Sequence, residues 1–223
     1  MKISYNYISS VAIGDFNPSI LSAEFLKRVC KLDLGEPINE SPRTIPVIKH
    51  LKFQELEFTV ELNRLEIKDT IIGETLETEV LNIFEIYYQK LPYTPLMAVG
   101  ININCDLIPK DNIEFQTVEK KISNPNSYLD FFESDQVLVN EKALFMKNDK
   151  TWIGSNYRLE TGNDLTRQVD SSKKNEFFNI NYNWEAGNLA ENTLKRDALL
   201  GKLFGKYKDF STEFLRFIKY LQG

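Results

Sequence analysis

The chain has 223 residues, a formal net charge of −5, 42% hydrophobic residues and 26% charged ones, enough to bury roughly 70% of the surface its unfolded form exposes without a disulfide or metal staple. Residues 1–111 hold 11 Lys/Arg against 16 Asp/Glu, and residues 112–223 hold 16 of each, so neither half has the basic excess that docking on a phosphate backbone demands. No apolar run approaches the ~18 residues of a membrane span, and the opening Met1-Lys2-Ile3-Ser4-Tyr5 alternates instead of forming an apolar leader. A cytoplasmic protein is expected, with no membrane contact and with Cys30 and Cys105 as reduced, buried thiols.

In chain order, Ile3, Tyr5 and Tyr7, then Val11 and Ile13, alternate as in a half-buried strand. Asn17-Pro18 supplies a cap and a first helical residue, and Leu21, Phe25, Val29 and Leu32 follow at helical spacing. That pattern predicts one amphipathic helix to about Leu34, ended by Gly35 and Pro37. The interval from about Arg43 to Lys68 predicts two long strands, one on Ile45, Val47 and Leu51, the next on Leu56, Phe58, Val60 and Leu62. A second helix, about Glu74 to Leu91, carries Leu76, Val80, Phe84, Tyr87 and Leu91 on one stripe. A strand follows with Met97, Val99, Ile101, Ile103, Cys105 and Leu107 on one face and Ala98, Gly100, Asn102, Asn104 and Asp106 on the other. The order βαββαβ over residues 1–110 suggests a ferredoxin-like half, within an α+β fold class.

Residues 111–223 suggest a second α+β half, continuous with the first or separate from it. A strand is expected over Ile113 to Ile122, then a short helix opened by Asn124-Pro125. Three strands follow, over Val137 to Met146, Trp152 to Leu159 and Phe177 to Trp184. A polar loop, Glu160 to Asn175, precedes the last of them, and a long helix from about Asn192 to Leu221 closes the chain. Asn-Pro recurs after the first strand and before the short helix, a faint sign of duplication.

The pair Gly201-Lys202 and Gly205-Lys206 resembles a phosphate loop only superficially. The spacing is wrong, Tyr207 stands where a hydroxyl ligand to magnesium should be, and the segment is helical in pattern. Two glycines four apart share one helix face, and close approach of another backbone is the expected compensation for their cost of about 1 kcal/mol each.

No catalytic constellation stands out. His50 is the only histidine, so a base-activated nucleophile or a Cys/His metal set at known spacing has nothing to build on. Glu57 and Glu61 share a strand face but lie roughly 13 Å apart at strand rise. No cofactor and no metal site are expected, and enzymatic activity is not positively indicated. The most suggestive pattern is a pair of amide-bearing strand faces, Asn102, Asn104 and Asp106 on one strand and Asn179, Asn181 and Asn183 on another. If the two strands are neighbours, these rows merge into a platform of donors and acceptors. The expected function is a non-catalytic protein-interaction component, an adaptor, subunit or regulator with a protein partner or a second copy. The alternative is an RNA-binding or RNA-processing protein using a ferredoxin-like sheet, which the charge disfavours.

Overall fold

The computed structural model describes residues 1–40, 47–70, 76–122, 124, 137–139, 142–146, 151–161, 174–185 and 193–223. It is a mixed α+β structure with helices packed on an open antiparallel sheet.

The centre of the sheet is a pair of 13-residue strands, β1 (Lys2–Gly14) and β6 (Leu96–Ile108), running antiparallel. On one side of β1 lie β5 (Arg64–Asp69), β4 (Leu56–Glu61), β3 (Ile48–Lys52) and the two-residue β2 (Asn39–Glu40). On the other side of β6 lie β10 (Lys174–Glu185), β9 (Thr151–Thr161), β8 (Lys142–Met146) and β7 (Val137–Val139). The order across the sheet is therefore β2-β3-β4-β5-β1-β6-β10-β9-β8-β7. Among the described residues it is accompanied by the α-helices α1 (Val80–Gln89), α2 (Asn112–Ile122) and α3 (Thr193–Gln222).

Period-two patterning decides which face is buried. In β3, β4 and β5, Leu51, Leu56, Phe58, Val60, Leu65 and Ile67 are buried, whereas His50, Lys52, Glu57, Thr59, Glu66 and Lys68 are half-exposed. The buried set meets Phe84, Tyr87, Leu203, Phe214 and Phe217 from the helices in one core, each such side chain contributing about 1.5–3 kcal/mol on burial. Aromatic rings knit the layers, with Tyr5 of β1 at 6.1 Å from Phe214 of α3 and Phe16 edge-on to Tyr88 of α1 at 6.3 Å. Helix α1 lies over β1 and β5, and α3 lies over β6 and β10.

Several elements depart from the sequence expectation for local reasons. The first predicted helix is two short pieces, a 3-10 turn (Pro18–Ile20) and a π-helical turn (Phe25–Val29). Asn17 does cap, accepting from the Ser19 amide at 3.0 Å, but Leu21 is extended (ψ 116) and the chain restarts where Ser22 Oγ accepts from the Phe25 amide. The π turn closes with Leu32 N donating to Leu26 O at 3.0 Å across Lys31, which sits at φ 60. That left-handed position is the one glycine occupies at least cost.

The two long strands expected up to Lys68 are three described strands, β3, β4 and β5, because the chain turns at Leu62-Asn63 and pairs Val60 with Leu65. Four strands thus intervene between the helical turns and α1, a count larger than the βαββαβ expectation. The strand expected at Ile113 is instead helix α2, started by Asp111, whose Oδ1 accepts from the amides of Ile113 and Glu114 at 3.0 and 2.9 Å. Phe115 and Val118, three apart, are both buried, a helical spacing that alternating Ile113 and Phe115 disguised. The strand expected over Val137–Met146 is the β7–β8 hairpin, and most of the loop expected over Glu160–Asn175 and the short helix after Asn124-Pro125 lie outside the described residues.

Candidate functional site

The two amide-bearing strands are neighbours. In the β6–β10 register Asn102 stands opposite Asn181, Asn104 opposite Asn179, Asn183 opposite Gly100 and Asp106 opposite Phe177. The rows continue into the flanking strands. Ser9 of β1 pairs with Asn102, and Gly154 of β9 with Asn181; Tyr7 pairs with Asn104, and Asn156 with Asn179. Opposed residues of antiparallel strands share a face, so these positions on four strands fall in two adjacent register rows, with Asn102 and Asn104 on the face of β6 opposite its helix-facing Ile101, Ile103 and Cys105.

The local geometry closes the centre of these rows on itself. A register shift between Tyr5 and Tyr7 inserts Asn6 as an extra residue, and a bulge of this kind re-aims a side chain. Asn6 Nδ2 donates to Asn104 Oδ1 at 2.9 Å, and Asn102 Nδ2 donates to Ser9 Oγ at 3.1 Å. Asn104 is 1% exposed and Ser9 0%, while Asn102 is half-buried. Burying an amide is tolerable only when it is hydrogen-bonded. This inner part of the rows therefore holds register, since a one-residue slip would turn Asn102 and Asn104 into the helix-facing core.

The other side of β1 carries a different chemistry. Lys52 Nζ contacts Glu57 Oε1 at 2.6 Å, Lys68 Nζ approaches Glu57 Oε2 at 3.9 Å, and Arg64 donates to Glu66 at 3.0 Å. Lys52, Glu57, Lys68 and Ser9 form one register row across β3, β4, β5 and β1; His50, Thr59, Glu66 and Val11 form the next. The Lys68 ammonium also sits 4.8 Å from the centre of the Tyr7 ring. Burial of Glu57 pushes its carboxyl up, but the Lys52 hydrogen bond and the charges of Lys52, Lys68 and His50 outweigh it, holding the group below the usual carboxylate range. The Lys52–Glu57 and Lys68–Glu57 contacts are cross-strand pairs, a signal carried by the alternation of opposite charges on neighbouring strands rather than by paired carboxylates.

The remaining candidates separate spatially. His50 Nδ1 lies 3.1 Å from Thr59 Oγ1 on the half-exposed face. Both cysteines are buried in the helix-side core, so the sheet lies between His50 and either thiol. Burial pushes the Cys30 thiol up to about 11, with Lys90 opposing weakly, which leaves it protonated and unreactive at neutral pH. Among the described residues no group of three or more His, Cys, Asp or Glu gathers as a metal site. No described helix is long and apolar enough to cross a membrane. Gly201 and Gly205 lie within α3, exposed, and a Cβ at either would meet nothing within 4 Å; the expected close backbone neighbour is not there.

Compared with known proteins, the chain matches no family model and no curated protein.

Proposed function

We propose that this chain is a non-catalytic interaction component, an adaptor, subunit or regulator of a cytoplasmic complex, that meets its partner through the face of the sheet opposite α1 and α3. The observation supporting it is the run of nine half-exposed residues on that face of β3, β4 and β5, Ile48 through Lys68 in alternation, which no described helix covers. A polar sheet face with its cations already balanced by carboxylates suits a protein surface, where charge complementarity sets orientation more than affinity. A second copy of the chain is one such partner.

RNA binding, which leans on a ferredoxin-like order of the first half, has less support. Lys52, Lys68 and Arg64 each lie against Glu57 or Glu66, and a phosphate would have to displace a carboxylate already in place.

The test is a pull-down of the tagged full chain from its native host, with and without nuclease, alongside a Thr59→Arg variant. A defined protein that survives nuclease and is lost from the variant, at unchanged melting temperature, supports docking on this face. Partners that vanish with nuclease favour RNA instead. A lone monomeric chain in every condition overturns an interaction role.

A further inference from the structure

The strand order reads identically from both edges of the sheet. If β6–β10 are counted anew as a first to fifth strand, the order is second, third, fourth, fifth, first, then first, fifth, fourth, third, second. We infer that the chain is a fused pseudo-dimer, two copies of one β-helix-ββββ-α unit, residues 1–89 and 96–222, joined through the edges of β1 and β6. The partner for which the β1 edge is shaped is thus a second copy of its own unit.

Four further observations, independent of strand order, agree. Among the described residues the elements repeat along the chain as a strand, one or two short helical segments, four strands and a helix: β1, the 3-10 and π turns, β2–β5 and α1, then β6, α2, β7–β10 and α3. The closing helix of each unit lies over the first and last strands of that unit, α1 over β1 and β5, α3 over β6 and β10. The joint pairs the two first strands, both 13 residues long, and pairs them antiparallel. A two-fold axis normal to a sheet maps a strand pair onto itself only when the pair is antiparallel, as in an isologous interface.

The fourth observation concerns the ends of the units. Within the chain, the end of α1 reaches the start of β6 through six residues, 90–95. A two-fold arrangement requires the end of α3 to lie comparably near the start of β1. The Met1 amine binds Glu114 at 2.6 Å, and the Tyr220 carbonyl accepts from Lys121 Nζ. Glu114 and Lys121 are both on α2, seven residues apart, about 10 Å at helical rise. The two segments are therefore brought together on one helix, as the symmetry demands. The recurrence of Asn-Pro does not fit the repeat, since Asn17-Pro18 precedes the helical turns of the first unit whereas Asn124-Pro125 follows α2 of the second. Nor does the alternation of asparagines shared by β6 and β10, since these are the first and fifth strands of one unit.

The inference is tested with a circular permutant that exchanges the order of the units, residues 94–223 followed by a six-residue Gly/Ser linker and residues 1–93. The expected result is native secondary structure by circular dichroism, the parent's oligomeric state and a melting midpoint within about 5 °C of the parent's. If the permutant does not fold, a crystal structure of the intact chain decides. A single rotation near a half-turn that lays β1, β3, β4, β5 and α1 onto β6, β8, β9, β10 and α3 upholds the inference. Failure of any one rotation to align those five pairs of elements in that order overturns it.

Discussion

The two wings of the sheet share a plan and differ in what they put on the face away from the helices. The β3–β5 wing presents paired charges, Lys52 with Glu57 and Arg64 with Glu66, half-exposed and adjustable. At the β1–β6 seam, where the other wing begins, the same face carries neutral amides and a hydroxyl, with Asn104 and Ser9 buried and Asn102 hydrogen-bonded to Ser9. Charges cost too much to bury unless fully paired, whereas amides carry their own donors and acceptors and can be enclosed. A seam between two halves needs a fixed register more than a wettable surface. The covering helices differ as well: ten-residue α1 buries five of its residues, Val80, Ile83, Phe84, Tyr87 and Tyr88, while thirty-residue α3 includes exposed glycines that touch nothing.

The sharpest way to break this contrast is at the seam. Asn104→Leu removes the acceptor for the Asn6 amide and should cost about 2 kcal/mol, lowering the melting midpoint by roughly 4–8 °C in a chain of this size. Asn102→Ala, at a half-buried position, should cost visibly less; equal losses in thermal denaturation would show that the buried amide holds no special place.

On the helices, Gly201→Ala and Gly205→Ala should each stabilise by about 1 kcal/mol, since each gains helix propensity and meets no neighbour. Chemical denaturation midpoints would register the gain, and a loss at either position would point to a packed face on α3.

The smallest effect belongs to the charged wing. Glu57→Gln should cost at most about 1 kcal/mol at neutral pH. The folded state holds the Glu57 carboxyl below its unfolded value, so its contribution is present above about pH 4.3 and fades as pH falls through the lower folded value. The stability gap between parent and variant should therefore close on acidification, as measured by urea titration across that range. A gap that persists in acid would mean the carboxylate charge is not its source.

Much of the fold was legible because one-sided burial imposes a period. Leu56, Phe58 and Val60 marked β4, and Val99 to Leu107 marked β6, since their alternation has no other use. Asp111 as a cap was missed because Ile113 and Phe115 alternate like a strand over too short a window for helical spacing to declare itself. The break in the first helix is hidden in the sequence because Leu21 and Phe25 sit at helical spacing even though the backbone at Leu21 is extended.

The candidate site was legible in part. The asparagine rows on β6 and β10 were visible as alternation in each strand, but whether they touched depended on strand order. What the sequence determined by itself is local, namely which residues alternate and where Asn17 caps, since these depend on neighbours a few positions away. Only the tertiary structure decided that β1 and β6 lie side by side, that Asn6 reaches Asn104 across 98 positions and that the ends of α3 and β1 meet on α2. Those contacts are set by closing long loops around a common core, and no short window of sequence carries that information.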